Sequence, residues 1–264
     1  MEILSKSPAL SNRLSILDYR TPEEYFLGDA AFKACWPLIE SGKDVADRNP
    51  LNLTGVVFTE GAARFNGVSS FGVTSANVDL TGTNKLTVLI DVKCTPYNIT
   101  SISSIVESSV NPAVNNGSFG ILEGGTVAGD PLDIFIRGTG NVEFRYLLSK
   151  VGLDDLNFHT VTLRGDFALT TDEVSCLIDG VPFTADSKAS NTNNAGNFGS
   201  YPVYVGMRAG LSNPYNGLAK NLVILSRFLS NNEVAEYYAW KNDIRNPYFF
   251  SLYRESIKEA IKCY

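Results

Sequence analysis

The fold is decided between Phe158-His159-Thr160-Val161-Thr162-Leu163 and Val174-Ser175-Cys176-Leu177-Ile178-Asp179-Gly180-Val181-Pro182-Phe183. Apolar and polar residues alternate in both runs, the period of an antiparallel strand with one buried face rather than that of a helix. Asp179-Gly180 then forms a two-residue turn, which predicts a hairpin into Val181–Phe183.

Working outward, the same pattern recurs. Strands are predicted at 31–38, 56–58, 63–65, 70–73, 86–94, 102–106, 119–122, 132–136, 142–148, 203–207 and 218–225, between Gly- and Asn-rich turns. About a dozen short strands at this spacing are the signature of a sandwich or barrel. About a third of the chain is Gly, Asn, Ser and Thr, which is turn chemistry. One helix is signalled, opening at Leu229-Ser230-Asn231-Asn232-Glu233, where Ser230 and Glu233 are spaced as a capping box. Val234, Tyr237, Tyr238 and Trp240 give it an apolar face. The chain therefore divides into an arm (1–28), a body (29–240) and a tail (241–264). Leu10–Leu17 is a short helix candidate in the arm, and Tyr25-Phe26-Leu27 is apolar enough to dock on a surface. The tail carries Asn246-Pro247-Tyr248-Phe249-Phe250 and a helical stretch from Ser251 to Cys263.

Composition removes several functions. The 264 residues carry a formal net charge of −6, which speaks against sequence-independent nucleic-acid binding. The tail is net basic, so the body is more acidic than the average. With 1 histidine, no His-rich metal site can form, and a Ser-His-Asp or Cys-His mechanism could use only His159. No apolar run reaches the ~18 residues of a membrane span, and the first residues lack a signal-peptide layout. Cys35, Cys94, Cys176 and Cys263 are too far apart for a CxxC signature, and free thiols in a reducing cytoplasm are expected. The sequons at Asn52, Asn98 and Asn116 are read as chance occurrences in an Asn-rich chain.

The ordered segments resemble the concanavalin A-like, laminin-G-type jelly rolls. Phe65-Asn66-Gly67-Val68-Ser69-Ser70-Phe71 resembles the early hairpin of that family. Leu86–Val92 resembles its next long strand, with Asp91 where an aromatic is usual. Phe158–Thr162 resembles "WHHVA", Cys176–Val181 "LYVDG", and Tyr204-Val205-Gly206 the "I-G" step. Tyr215–Leu222 resembles "F-x-G-x-I-D-E-V", and Arg227–Tyr238 resembles "R-x-L-S-x-x-E-I-x-x-L-Y". The resemblance implies an all-β, antiparallel two-sheet sandwich with one short helix and terminal extensions. The flanking "TPEEYFLGD…CWPLIE" and "NPY" resemble bacteriophage proteins. They imply a non-enzymatic virion accessory protein, a capsid decoration or tail appendage, made in the host cytoplasm and present in many copies. The alternative is a lectin-like carbohydrate-binding module for adhesion to a host glycan.

Candidate residues follow from these readings. The wider fold includes glycoside hydrolases, which need paired carboxylates. The closest acidic pairs, Asp130/Asp133 and Asp154/Asp155, border Pro or Gly and read as solvated loop tips, so no catalytic residue is expected. His159 has no partner implied by spacing and reads as structural. Related domains bind calcium, and Asp44 and Asp47 are the metal candidates in GKDVADRNP. The competing and favoured reading there is an Asx-turn, with no cofactor. Sugar binding uses aromatic faces flanked by amides. Tyr201, Tyr204 and Tyr215, with Asn216, lie near the Asn-rich stretch 191–199, although ordinary strand packing is the alternative for Tyr204. Tyr248, Phe249, Phe250 and Tyr253 either brace the body or make assembly contacts.

Overall fold

In a computed structural model of the chain, the described residues are 25–26, 28–95, 102–111, 115–124, 132–138, 143–148, 153, 155–184, 187–188, 195–209 and 212–242. The first strands are β1 (Phe32–Trp36), β2 (Leu51–Thr54), β3 (Val57–Thr59), β4 (Ala62–Asn66), β5 (Phe71–Thr74) and β6 (Val78–Asp79). Next come β7 (Lys85–Cys94), β8 (Ser103–Ser108), β9 (Phe119–Glu123), β10 (Leu132–Arg137), β11 (Glu143–Leu148) and β12 (His159–Asp166). The last are β13 (Val174–Ile178), β14 (Val181–Phe183), β15 (Ser187–Lys188), β16 (Ser200–Tyr201), β17 (Val203–Val205) and β18 (Asn216–Leu225), followed by helix α1 (Asn231–Asn242).

The first sheet runs β14-β13-β12-β7-β18-β4-β3, with β1 also paired to β18; the second runs β15-β11-β10-β9-β8-β17-β5-β2. A small ribbon joins β6 and β16. Among the described residues the ladders of both sheets and the ribbon are antiparallel. The hairpin that decided the sequence reading is present, with Val161 opposite Ile178 and Ile178 opposite Val181. Asp179 and Gly180 have φ of 53° and 77°, as a type I′ turn requires.

β18 serves two partners on one side. Asn216–Ala219 pair with β4, and Leu222–Leu225 pair with β1. The switch occurs at a register shift between Lys220 and Val223, where Asn221 takes a φ of 53°. Asn tolerates that left-handed conformation because its short side chain bonds locally.

Packing follows the alternation. Trp36, Phe65, Val88, Ile90, Phe119, Ile134, Leu163 and Ile224 fill the space between the sheets. A second apolar layer lies on the other side of the first sheet, where Leu89, Leu177, Val223 and Leu225 meet Val234 and Tyr237 of α1. The capping box forms as the sequence predicts: Glu233 N–H donates to Ser230 Oγ at 3.2 Å, and Ser230 N–H to Glu233 Oε2 at 2.7 Å. Arg227 ties this cap to the start of the body through Glu233 and Asp29, both at 2.6 Å. Tyr25 and Phe26 dock as expected, with Tyr25 at 5.5 Å and 5.1 Å from the rings of Tyr237 and Trp240. α1 continues to Asn242, two residues past the body boundary drawn at 240. Cys35, Cys94 and Cys176 are buried and form no disulfide among the described residues; Cys263 lies outside them.

Candidate binding face on the second sheet

The two outer faces of the sandwich are chemically different. On the first sheet, α1 covers an apolar area and closes over a polar cluster. Asp91, 3% exposed, accepts from Thr160 Oγ1 at 2.8 Å and Asn221 Nδ2 at 2.7 Å. Lys241 reaches back from the last turn of α1 to both Asp91 and Thr160. Lys220 lies over the Phe158 ring at 4.1 Å, and burial holds its amine below the usual lysine range against the charge of Asp91. These groups lie together beneath the helix, with Asn221 Oδ1 buried and without a hydrogen-bond partner among the described residues.

The second sheet carries no helix among the described residues. Its register aligns one row across seven strands: Asn52, Val73, Tyr204, Glu107, Gly120, Phe135 and Arg145 are successive partners from β2 to β11. Their chain neighbours Val203, Val205, Val106, Ile121, Ile134 and Tyr146 belong to the core, so this row faces outward. Gly120 leaves a gap that Phe135 fills: a Cβ there would lie 2.4 Å from the Phe135 ring.

Two buried carboxylates anchor arginines on this face. Glu107, fully buried, accepts from Ser109 Oγ at 2.5 Å and from Arg208 Nε at 2.8 Å. Asp133, also fully buried, accepts from Arg145 Nε at 2.7 Å and from its Nη2. Arg137 places its guanidinium over the Phe135 ring at 5.9 Å. All three arginines are half-buried, as is Tyr204. Glu107, Gly120 and Phe135 in the middle of the row are buried, so Tyr204 and the half-buried arginines are what reaches solvent. Such a surface can stack an aromatic face on a ring of C–H groups while forked N–H donors engage oxygens.

The sequence candidates are distributed differently. Tyr201 is half-buried in the small ribbon; its hydroxyl donates to Asn116 O at 2.6 Å and its ring lies over Gly199, off the row described above. Tyr204 lies on the row itself. Tyr215 is fully buried, with its ring 6.0 Å from Phe65 and its hydroxyl 3.3 Å from the carbonyls of Lys93 and Leu218. It presents no face to a sugar, which corrects the expectation for that residue. Asn216 is engaged by Arg64 Nη2 at 3.0 Å and packs on Gly67. Asp44 is fully buried, and its two oxygens accept the backbone N–H groups of Cys35, Ala46, Arg48 and Asn49 at 3.1–3.3 Å. Asp47 is exposed and turns on the Asp44 carbonyl at 2.8 Å. This is the Asx-turn arrangement, with the carboxylate of Asp44 accepting from backbone donors. Among the described residues, no group of three or more His, Cys, Asp and Glu is placed to hold a metal.

Asp133 is no loop tip; it is an interior residue of β10, which also corrects the sequence reading. Asp130, Asp154, Tyr248, Phe249, Phe250 and Tyr253 lie outside the described residues. His159 does have partners: Nδ1 is 2.7 Å from Asp179 and Nε2 2.9 Å from Asp155. Burial alone would lower its pKa, but hydrogen bonds to the two aspartates raise it above 6.5. Asp155 is held down to about 2 by Asn157 and His159. Both ring nitrogens are occupied, so the histidine clamps the β13–β14 turn to the start of β12.

The arginine pairs escaped the sequence reading because Glu107 and Arg208 are 101 residues apart. The alternation of Leu132–Arg137, with Asp133, Phe135 and Arg137 on one side, was the available signal. No helix among the described residues is long and apolar enough to cross a membrane.

No family model and no curated protein matches the chain. Solved structures do match. Over 78% of its length the chain superposes on 98% of domain 4 of AbnA, a GH43 extracellular arabinanase from Geobacillus stearothermophilus in complex with arabinotriose, with a TM-score of 0.57 and 16% identity. It covers 79% of itself and 51% of the receptor binding domain of botulinum neurotoxin C/D mosaic serotype, with a TM-score of 0.58 and 10% identity. Against Trypanosoma rangeli sialidase the figures are 83% and 34%, with a TM-score of 0.58 and 15% identity. The chain thus spans about half the length of the neurotoxin domains and a third of the sialidase. At these identities the likeness establishes the fold: an antiparallel two-sheet β-sandwich of jelly-roll type.

Proposed function

We propose that the protein is a non-enzymatic, lectin-like carbohydrate-binding module whose site is the outer face of the second sheet around Tyr204. The observation that carries this reading is the row Tyr204–Glu107–Gly120–Phe135–Arg145, in which an aromatic ring and anchored polar groups share one face that carries no helix among the described residues. The neighbour crystallised with arabinotriose is consistent with it. The absence of catalysis is supported by the geometry of the two acids. Glu107 and Asp133 lie two strands and one row apart, roughly 12 Å between their backbones at standard strand spacings, and each is held by an arginine. Glycosidases set their carboxyls roughly 5–9.5 Å apart.

A glycan array with the full chain tests the proposal. Reproducible binding that falls at least tenfold on Tyr204→Ala, with an unchanged unfolding midpoint, is the expected result; a base or sugar ring stacked on an aromatic contributes about that much. Tyr201→Ala, off the row, should change affinity less. Polysaccharide turnover by the purified protein, or binding indifferent to Tyr204→Ala, would sink it.

The virion reading finds no support in the matched structures and stands as a second proposal. Its one structural support is that the arm and the end of α1 meet at Tyr25 and Trp240, on the face opposite Tyr204. Extensions leaving there, including Tyr248, Phe249, Phe250 and Tyr253, would tether many copies to a capsid or tail with the binding face outward. Loss of particle association on deleting 243–264, with the body still folded, is the expected result; full occupancy by the truncated chain would defeat it.

A further inference from the structure

We infer that the ligand of this face is an acidic saccharide, carrying a carboxylate or sulfate, and that Arg208 is the residue that selects it. The inference rests on the carbohydrate-binding reading and deepens it. Arg208 is fixed at two points. Its backbone is bridged to Ser212 in both directions, at 2.9 Å and 3.3 Å, and its Nε donates to Glu107 at 2.8 Å. Glu107 is fully buried and is itself held by Ser109, so this anchor does not shift. With Nε engaged, the Nη1 and Nη2 donors make no hydrogen bond among the described residues, and 24% of the side chain remains exposed beside Tyr204. A guanidinium with one edge anchored and the other turned outward is a pre-oriented fork, and its geometry matches an oxyanion with two oxygens.

The local charge agrees. Arg208 is half-buried at this surface, whereas its anchor Glu107 is fully buried. At this point the group that reaches solvent is therefore the cation, in a chain whose net charge is −6. Beyond ~8 Å the surrounding acidity is screened at physiological salt, so an anion arriving here meets Arg208 first. A neutral sugar needs no such inversion of sign.

The test compares matched ligands on the intact protein by calorimetric titration: trigalacturonate against its methyl ester for the carboxylate arm, and sulfated against unsulfated galactobiose for the sulfate arm, after an array of acidic and neutral glycans. The inference expects array binding confined to acidic glycans. It expects esterification or desulfation of the bound ligand to weaken it about ten- to a hundredfold, the range for a hydrogen bond to a charged group. Raising salt should weaken the acidic ligand and leave residual binding of the neutral one unchanged. Arg208→Lys, which keeps a cation on Glu107 but loses the fork, should weaken acidic ligands at least fivefold with an unchanged unfolding midpoint. Selective binding of neutral glycans, or equal affinity for acid and ester, overturns this inference and leaves the carbohydrate reading standing. Failure of the wild-type chain to bind any glycan overturns both.

Discussion

Asp91 offers a sharp test of how the helix is held on the sandwich. Its carboxylate lies between three donors, Thr160, Asn221 and Lys241, and the side chains of Asp91 and Lys241 are 4% and 9% exposed. Neither charge is exposed enough for solvent to screen the pair. Asp91→Ala would leave the Lys241 ammonium buried without its counter-charge and next to Lys220. Breaking one side of a buried pair in this way costs about 3–5 kcal/mol. At this chain length each kcal/mol moves the midpoint about 2–4 °C, so a fall of about 6–20 °C is expected. Replacing both partners is different: Asp91→Leu with Lys241→Met removes the charges together and fills the same volume. The double variant should recover most of the loss, and the cycle should show coupling of about 2 kcal/mol or more between the two positions. Urea unfolding of the wild type, the two single variants and the double variant measures it, with the slope checked for constancy. Additive effects, or a single-variant loss below about 1 kcal/mol, would mean that Lys241 is solvated and that α1 is not latched through Asp91.

Three further outcomes follow from the packing. His159 has a folded pKa raised above its unfolded value, so the stability it contributes is fully present below pH ~6.5 and is lost as pH rises through the folded value. The gap in urea midpoint between the wild type and His159→Gln should therefore be wide at pH 5.5 and narrow at pH 8.5; a constant gap would refute the two-aspartate clamp. Asp44→Ala should cost about 3–5 kcal/mol, because four inward-pointing N–H groups lose their acceptor, and millimolar calcium should leave the wild-type midpoint unmoved; a calcium-dependent rise would restore the metal reading of Asp44 and Asp47. Phe26→Ala, at a site 2% exposed with its ring 5.1 Å from Tyr237, should cost about 3–5 kcal/mol in thermal or urea unfolding, and a neutral result would show that the arm does not dock.

What could be read in advance was local. Period-two alternation located β7, β12 and β13. Asp179-Gly180 announced its turn type, and Ser230 with Glu233 announced the start of α1. Those features depend on residues within a few positions of each other. β2, β6, β15 and β16 are two to four residues long and were not read, because a strand that short has no period to detect. Tyr215 looked like a surface aromatic beside an Asn-rich stretch, yet it enters β18 from below and fills the gap beside Phe65. Asp133 sat near Pro131 and looked like a loop tip, although its neighbours Ile134 and Ile136 already assigned it to an outward position on a strand. The pairing of Glu107 with Arg208, and of His159 with Asp179, needed the register of whole sheets, which no short window contains.

The register also explains why two similar sets of charges have opposite roles. On the first sheet Asp91 lies on the strand and its cation arrives from above, on α1, so helix and ammonium seal the carboxylate. On the second sheet the acids again lie on the strands, but their cations rise from the same sheet or from the Arg208 turn, with no helix above them among the described residues. Glu107 engages only Nε of Arg208, and the rest of that guanidinium makes no hydrogen bond among the described residues. An arginine can divide itself between two partners in this way because its donors occupy two edges, whereas a lysine ammonium is a single point. The choice of Lys241 over Asp91 beneath the helix and of Arg208 over Glu107 on the second sheet follows that chemistry. Exchanging the types should accordingly reverse the effects: Lys241→Arg should strain the sealed site and lower stability, whereas Arg208→Lys should preserve stability and weaken ligand binding.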